Sequence, residues 1–473
     1  MLMLSATVVF GCAAKTAKGA ESSQAISESK VQEASTEEDE NQVNTASANE
    51  ASTAEESVTS EENNDFEEWE EKIAQIPALR DSVSEVMDCR IGCAVTGSEI
   101  DDPKVFSIIT KHFNAVTLGN ELKPDALFGY SNSTCPGTQM AELNGEMLLV
   151  PVMDFSRAEY ILDKFYDWNQ QNPDRQIKIR GHVLVWHSQT PEWFFHEDYD
   201  KSNPYVTKEE MNKRLEWYIS SVFNHFLAED SKYKDMFYGW DVVNEAISDS
   251  NGKLRTDSEN SEPLNKDTHG SNSSWYHIYK DNEFIINAFT YANKYAPDSL
   301  ELYYNDYNEC NAIKREGIAE LLTAIKEKEG PKGEGTRISA MGMQGHYGPE
   351  TPAFSDVEYS AKVYGRIVGN VQITELDITA SDGYDGSDEA KVAEDEKLKK
   401  RYNVLYFALK AVDKGEDANV TAINFWGTVD HYSWLQSRSN VGGGNTSGLP
   451  QYPLLFDENY LPKSCFWVFA ENK

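Results

Sequence analysis

Eight short apolar runs that alternate with longer amphipathic stretches predict an α/β fold, a single (β/α)8 barrel of the TIM type. The alternation repeats in order along the chain, and no second linker interrupts the globular composition after residue 65. Several runs are almost continuously hydrophobic, which is typical of parallel strands that are covered on both faces. Right-handed crossovers between such strands make closure into a barrel the expected topology.

The predicted strands are short and rich in β-branched and aromatic residues. Most are followed by polar residues, the place where a barrel of this type carries its chemistry. The strands are IGCAV (91–95), FNAVTLG (113–119), IKIRGHVLVW (177–186), FYGWDVVNEA (237–246), ELYYND (301–306), ISAMGMQGH (338–346), VQITELDI (371–378) and AINFWG (422–427).

The stretches between the strands have apolar residues at helical spacing. Two of them begin at residues suited to capping a helix N-terminus, Ser156 and Thr207. The clearest helical stretches are 156–171, 208–227, 312–328 and 394–412.

A doubly wound open sheet is the structural alternative for the same alternation. Such a sheet normally has a Gly-rich turn after its first strand, whereas the segment here, IGCAVTGSEI, lacks the GxGxxG pattern. The sequence therefore favours the barrel.

Three long segments are predicted as loops or small additions at the functional end of the barrel. Two are polar and follow the fourth and seventh strands, at 248–274 and 379–395. The third, 128–154, contains CPGTQMAELNGEMLLVPV and predicts a small hairpin over the barrel.

The N-terminal part differs in composition from the rest of the chain. Residues 1–11 are apolar and precede Cys12, which resembles the end of a bacterial lipoprotein signal, where the cysteine is lipidated. Residues 12–65 are rich in Ser, Thr, Ala and Glu, and from residue 13 they contain thirteen acidic residues against three Lys, a net charge of −10. We expect a disordered acidic linker there, because it buries too little apolar surface to offset the entropy of ordering.

The predicted organisation is therefore a signal peptide (1–11), a linker (12–65) and a barrel domain (66–473). We expect an extracellular protein, anchored to the membrane at a bacterial cell surface through lipidated Cys12, with free secretion as the alternative. No run of about 20 apolar residues occurs, so no membrane-spanning helix is predicted.

The formal net charge of −36, from 79 acidic and 43 basic residues, makes binding to nucleic acid or anionic lipid headgroups unfavourable. A neutral partner is expected, and the aromatic content of 11% suits either sugar binding or a large core. Without Cys12, five cysteines are left at spacings that do not suit zinc. We expect buried free thiols.

Ionisable, amide or indole side chains follow seven of the eight predicted strands. Any one of these side chains is consistent with a hydrogen-bonded residue of the core or the rim. Burial alone does not explain the whole set, because each buried polar group must form interactions that offset the cost of its desolvation. In strand order they are Asn120 and Lys123; His182, Trp186 and Gln189; Asn244 and Glu245; Asn305 and Tyr307; Gln344 and His346; Glu375 and Asp377; and Trp426 and Trp434.

Glu245 and Glu375 end the fourth and seventh strands, which meet across the mouth of a barrel. Two carboxyl groups so placed can flank one bond of a substrate, as glycoside hydrolysis requires. Glu245 and Glu375, together with His182 and His346, are also candidate ligands for a metal ion. The neighbouring Trp and amide groups suit a sugar better than a metal ion. No metal or other cofactor is expected.

The sequence resembles the endo-β-1,4-xylanases of glycoside hydrolase family 10 from about residue 91 to residue 466. Each supporting segment is a weak pattern alone, but together, in family order and at predicted strand ends, they are specific. The segments are LGNELKPD, RGHVLVWHSQTPEW, WDVVNEA, LYYNDYN, GMQGHY, ITELDI, FWGTVDHYSW and PLLFD.

The resemblance implies a retaining double displacement on xylan or xylo-oligosaccharides, with Glu245 as acid/base and Glu375 as nucleophile. Their carboxyl groups are then expected about 5 to 5.5 Å apart. Asn244 matches the asparagine that binds the sugar 2-OH, while His346 and Asp377 match the groups that hold the nucleophile ionised and oriented.

The resemblance also implies a set of sugar contacts. The family often has Glu where this chain has Gly119, which removes one expected sugar hydrogen bond. The implied contacts are Lys123, His182, Trp186 and Gln189 along the glycone-side wall, Asn120 one sugar further out, Gln344 beside the nucleophile, Trp426 and Trp434 over the glycone, and Tyr307 on the leaving-group side.

Two other functions fit parts of the same pattern. A surface carbohydrate-binding protein without catalysis would keep the cleft, but the presence of both Glu245 and Glu375 argues against it. A barrel hydrolase acting on β-glucan would use the same two glutamates, but the bulk of Trp426 and Trp434 favours xylose over glucose.

Overall fold

The computed structural model describes residues 65–264, 270–327, 336–437, 445 and 449–471. The predicted signal peptide, the linker up to residue 64 and Cys12 lie outside these residues. Within the described ranges, no helix is long and apolar enough to cross a membrane.

Eight parallel strands close into a barrel in the order β11-β12-β1-β2-β5-β7-β8-β9, and β9 pairs with β11 to complete the ring. All eight predicted strands are confirmed, and the open-sheet alternative is wrong because no edge of this ring is left unpaired. The strands are β1 (Arg90–Val95), β2 (Ala115–Leu118), β3 (Thr138–Leu143), β4 (Glu146–Pro151), β5 (Lys178–Gly181), β6 (Val185–Trp186), β7 (Phe237–Asn244), β8 (Glu301–Asp306), β9 (Ala340–Met343), β10 (His346–Tyr347), β11 (Asn370–Ile378) and β12 (Asn419–Phe425).

Helices follow the barrel strands and bury their apolar faces against them, as the helical spacing predicts. The described α-helices are 65–74, Leu79–Ser84, Pro103–His112, Pro124–Leu127, Ser156–Gln171, Lys208–Leu227, Ser274–Tyr279, Glu283–Tyr295, Ala312–Glu327, Phe354–Val368, Asp388–Asp413 and Phe466–Ala470.

The predicted helix starts are correct in part. Thr207 caps its helix and accepts a hydrogen bond from the Glu210 N–H, as expected. Ser156 is not a cap, because Phe155 occupies the N-cap position and Asp154 accepts the Ser156 N–H instead. The helix predicted from residue 394 begins six residues earlier, behind the cap Ser387.

Strands β5 and β7 approach closely because Gly181 lacks a side chain. A Cβ on Gly181 would lie 2.0 Å from the Trp240 ring, which is fully buried. This contact brings the residues beside Gly181, Arg180 and His182, next to Asp241 on β7.

The 128–154 segment contains the predicted hairpin, formed by β3 and β4. Its turn residue Asn144 donates to Glu216, and Lys213 pairs with Glu146, so the hairpin lies against the helix Lys208–Leu227. These contacts place the hairpin along the outer helices, and the predicted position over the barrel is wrong.

The five cysteines within the described ranges are free. Cys93, Cys310 and Cys465 are buried, which confirms the predicted buried thiols at these positions, whereas Cys89 and Cys135 are half-buried.

Candidate active site

The barrel brings the predicted polar residues together at the C-terminal ends of its strands. Glu375 is the more deeply buried of the two candidate carboxylates, with 4% of its surface exposed. Its Oε1 accepts a hydrogen bond of 2.7 Å from Asn305 Nδ2, and its Oε2 lies 3.2 Å from His346 Nε2. Both carboxylate oxygens therefore have a donor.

Burial by itself would raise the pKa of Glu375. The hydrogen bond from His346 and the charges of His182, His346 and Arg180 outweigh burial and lower that pKa to about 2. Glu375 is therefore ionised at neutral pH, the state that a nucleophile or a general base requires.

His346 is held between two carboxylates. Its Nδ1 lies 2.8 Å from Asp377 Oδ1, and Trp434 Nε1 donates to the other oxygen of Asp377 at 2.7 Å. Burial would lower the pKa of His346, but Asp377 and Glu375 raise it to about 10. A protonated His346 can donate to both carboxylates at once.

Glu245 occupies the end of β7 in a different environment. It is half-buried, and its φ of 57° lies in the left-handed region, which costs a non-glycine residue about 1–2 kcal/mol. Its Oε2 accepts from Trp186 Nε1 at 2.8 Å, and its Oε1 accepts from Gln344 Nε2 at 2.9 Å. These donors are neutral, in contrast to the cationic surroundings of Glu375.

A chain of four hydrogen bonds joins the two carboxylates. Gln344 Nε2, which donates to Glu245, also donates to Asn244 Oδ1 at 3.1 Å. Asn305 Nδ2, which donates to Glu375, reaches the same Asn244 oxygen at 2.9 Å. Because Asn244 accepts both bonds through its oxygen, its NH2 group is the donor end left for another partner.

The residues that support this chain of hydrogen bonds were not predicted as site residues from the sequence. Asn305 was identified only as a strand-end residue, although its amide contacts both Asn244 and Glu375. Its Oδ1 accepts from Thr374 and from Arg180, and Arg180 also pairs with Asp241 at 2.5 Å. The signal in the sequence was a charged residue within an apolar run, Arg180 in IKIRGH and Asp241 in GWDVV.

A second cluster surrounds Lys123 on one side of the carboxylate pair. Lys123 Nζ donates at 3.0 Å to both Asn120 Oδ1 and Gln189 Oε1 and lies 5.3 Å from the Trp186 ring centroid. Burial lowers the pKa of Lys123, although carboxylates such as Glu375 oppose that shift. The cluster presents amides, an ammonium group and an indole next to each other.

His182 and Trp426 lie against each other near the carboxylates. His182 Nδ1 is 2.8 Å from Asp241 Oδ2. The Trp426 ring lies 5.5 Å from the His182 ring and 6.3 Å from the His346 ring, between centroids. The structure thus brings both predicted tryptophans, Trp426 and Trp434, to the side of Glu375.

Tyr307 lies on the Glu245 side of the carboxylate pair, near the backbone of Glu245. Its hydroxyl contacts Asp249 and accepts from Arg255 Nη2 at 3.2 Å, while Arg255 Nε donates to the Glu245 carbonyl at 3.0 Å. Arg255 and Asp249 were not identified from the sequence. They connect Tyr307 to the strained backbone that carries Glu245.

The sequence predicts four candidate metal ligands, which are His182, His346, Glu245 and Glu375. Among the residues that the structure describes, no group of three or more His, Cys, Asp or Glu side chains is arranged to hold a metal ion. The absence of a cofactor stays a prediction.

The closed barrel and the linked carboxylates define the class of (β/α)8 barrels with a paired-carboxylate site, the arrangement used for glycoside hydrolysis. Residues 78–472 match the sequence profile described as Glycosyl hydrolase family 10, and the chain therefore belongs to this family.

The chain is 33% identical over 386 residues to endo-1,4-beta-xylanase Y of Acetivibrio thermocellus, which covers 80% of this chain and 31% of that protein. It is 31% identical over 403 residues to a beta-1,4-xylanase of Dictyoglomus thermophilum, with 85% and 93% covered. It thus spans about a third of the length of the first curated relatives it matches.

Solved structures of the family are similar as well. The CBM22 and GH10 modules of a Clostridium thermocellum endo-1,4-beta-D-xylanase, complexed with xylohexaose, give a TM-score of 0.64 at 30% identity. This similarity covers 82% of the present chain and 67% of that chain.

Replacing His346 with Gln should move the acid limb of kcat/KM to higher pH. The variant loses the hydrogen bond and the charge that hold the pKa of Glu375 near 2, so this pKa should rise toward the ordinary value of 4.5. A carboxylate with a lowered pKa is active above that pKa, so the variant should lose activity near pH 4 while the unmodified protein keeps it. The measurement is kcat/KM against pH with an aryl xylobioside.

His225→Gln is the matched control, because His225 pairs with Glu159 on the outer helices. It should leave the acid limb in place. An acid limb that does not move in His346→Gln would contradict the assigned role of His346, provided that near-UV circular dichroism shows a folded variant.

Proposed function

We propose that the chain is a retaining endo-1,4-β-xylanase that hydrolyses internal β-1,4-xylosidic bonds of xylan. The observation that carries the proposal is the contrast between the carboxylates: Glu375 is kept ionised by its surroundings, whereas Glu245 is half-buried and accepts from neutral donors. This contrast suits a nucleophile and a proton donor that face one bond. Membership of family 10 and its xylanase relatives support the same substrate class.

The proposed reaction has two half-reactions. Glu375 attacks the anomeric carbon while Glu245 gives its proton to the glycosidic oxygen, so the bond to the leaving sugar breaks as the glycosyl ester forms. Glu245, now ionised, then takes a proton from a water whose oxygen attacks the anomeric carbon and releases Glu375. No other reactant is consumed.

The residues around the carboxylates are proposed to bind the glycone sugars. The NH2 group of Asn244 would donate to the 2-OH, and Lys123, His182, Trp186 and Gln189 would form the wall, with Asn120 further out. Trp426 and Trp434, on the Glu375 side, would crowd the C5 hydroxymethyl of glucose and so favour xylose. Tyr307 is proposed to face the leaving group.

The location of the enzyme is a separate proposal that rests on the sequence. Residues 1–11 and Cys12 suggest a lipid anchor, and the acidic segment that follows would act as a solvated tether between membrane and barrel. An exported enzyme would meet a polymer such as xylan outside the cell.

The activity is tested with linear xylan, branched xylan and β-glucan, following the anomer of the first product by NMR. We expect xylan to be cleaved internally and the β-anomer to appear first. An α-anomer first would contradict retention. Faster turnover of β-glucan would favour the glucanase alternative, and binding without turnover would favour a non-catalytic binding protein.

Glu245→Ala should lose far more activity on xylan than on an aryl xylobioside with a good leaving group. Protonation by a general acid contributes about 10²–10⁴-fold, and only a poor leaving group needs it. Glu375→Ala, as the comparison, should abolish turnover of both substrates because the nucleophile is absent. Equal losses of Glu245→Ala on both substrates would contradict its assignment as the acid.

Mass spectrometry of the N-terminus from the native host should show Cys12 as the first residue, carrying a diacylglyceryl group. Cys12→Ser is the control and should release the protein from the membrane fraction. A native protein cleaved elsewhere, or beginning at an unmodified Met1, would contradict the anchor.

A further inference from the structure

The backbone at Glu245 is fixed by hydrogen bonds on both sides of its Cα atom. On one side, the Glu245 N–H donates to the carbonyl of Asn305 at 2.9 Å. On the other side, the Glu245 carbonyl accepts from Arg255 Nε at 3.0 Å. The N–H of that same peptide group belongs to Ala246 and donates to the Tyr304 hydroxyl at 3.0 Å. Because Glu245 follows the last residue of β7, these bonds hold its left-handed conformation in place of strand pairing.

Arg255 contacts this part of the backbone with both its main chain and its side chain. Its N–H donates to the Ala246 carbonyl at 2.7 Å, while its Nε donates to the carbonyl of Glu245. Its other two side-chain nitrogens donate to the Tyr307 hydroxyl at 3.2 Å and to the Ser271 carbonyl at 3.4 Å. Arg255 is 6% exposed. A guanidinium group presents its N–H donors in a rigid plane, so several acceptors together fix its orientation.

A short, packed turn carries Arg255 back to the end of β7. The two arms of the turn pair as an antiparallel bridge between Ile247 and Leu254. The tip of the turn lies against the helix that follows β8, where a Cβ on Gly317 would lie 1.8 Å from the Gly252 carbonyl oxygen. The guanidinium therefore extends from a main chain that is itself fixed.

Arg255 also belongs to a balanced cluster of charges. Its Nη2 lies 4.0 Å from Asp249 Oδ2. Lys314 Nζ lies 2.9 Å from the other oxygen of Asp249 and 2.9 Å from Asp306 Oδ1, and both Lys314 and Asp306 are fully buried. Two cations thus face two carboxylates, and this arrangement keeps the guanidinium within reach of the Glu245 carbonyl.

The carboxyl group of Glu245 is oriented separately, by the donors Trp186 and Gln344. These donors act on the carboxylate oxygens, whereas Arg255 acts on the backbone from which the side chain extends. Without Arg255 the carboxylate keeps both donors, but the peptide group that follows Glu245 loses one of its partners. A displacement of about 1 Å at a catalytic group can cost about 100-fold in rate.

We propose that Arg255 is a positioning residue for proton transfer, which acts through the Glu245 carbonyl to aim the Glu245 carboxyl group at the glycosidic oxygen. The inference rests on the proposed xylanase function, in which Glu245 gives its proton to that oxygen. Arg255 itself contacts neither the sugar nor the moving proton in this role. Its loss should therefore slow the steps in which Glu245 gives or takes a proton.

The test compares kcat/KM of Arg255→Ala on two aryl xylobiosides that differ only in the leaving group. Phenol is a poor leaving group that needs protonation, whereas dinitrophenol leaves without it. The value for the phenyl substrate should fall about 10- to 100-fold, and the value for the dinitrophenyl substrate by less than about threefold. Because both values come from one enzyme preparation, unfolded protein lowers them equally and leaves their ratio unchanged.

Arg214→Ala is the matched control. Arg214 is 5% exposed, and its Nη1 donates to the carbonyls of Phe194 and His196 at 2.9 Å, so it is also a buried arginine that fixes a backbone. It lies on the outer helix Lys208–Leu227, and its loss should leave the ratio of the two kcat/KM values unchanged. A ratio that changes equally in Arg214→Ala would assign the effect to general destabilisation and count against the inference.

Arg255→Lys tests the same contact in a variant that keeps the positive charge of the cluster. The ammonium group lacks the planar arrangement of donors, so the ratio should shift in the same direction, by about threefold or more. Equal losses on both substrates in Arg255→Ala and Arg255→Lys, or an unchanged ratio in both variants, would overturn the inference.

Glu245→Ala separates this inference from the proposed function. Its ratio should shift further than that of Arg255→Ala, because the acid itself is absent. A shift in Glu245→Ala without one in the Arg255 variants would refute only the positioning role. Equal losses in Glu245→Ala would refute the assignment of the acid, and no turnover of xylan or of either xylobioside by the unmodified enzyme would refute the xylanase function.

Discussion

The central constraint is a negative charge buried at the mouth of the barrel. A carboxylate as enclosed as Glu375 is costly unless charges and hydrogen bonds replace the water it has lost. His346 supplies a positive charge, and Asp377 in turn keeps His346 protonated. Arg180 adds charge from below, through the amide of Asn305. Asp377 shares β11 with Glu375, but the other groups come from β5, β8 and β10, so the ionised state of Glu375 depends on how these strands are placed in the ring.

The two carboxylates are joined by amides but differ in their surroundings. Asn244, Gln344 and Asn305 connect them through shared hydrogen bonds. The charged donor His346, however, contacts the carboxylate of Glu375. Glu245 instead has neutral donors, partial exposure and a left-handed backbone that turns it out of the strand direction. One scaffold thereby creates two chemically distinct carboxyl groups.

The cleft carries buried ionisable groups near the carboxylates. A cavity beside Asn120 is lined by two tyrosine rings, by hydroxyl groups and by two charged residues, Arg157 and Glu121. Backbone N–H groups donate to both carboxylate oxygens of Glu121. The hairpin of β3 and β4 packs against the helix Lys208–Leu227.

Periodicity and strand-end chemistry in the sequence alone determined the eight strands, the order of the barrel and the identity of the polar residues at its mouth. These features are local, because strand and helix spacing and the residues at strand ends can be read within one segment. Only the tertiary structure decided which donor meets which acceptor. The partners Asn305 and Glu375, or Arg180 and Asp241, lie on strands far apart in the chain, and their pairing follows from strand register. The flank position of the hairpin was decided in the same way, by surfaces that form only when the barrel has closed.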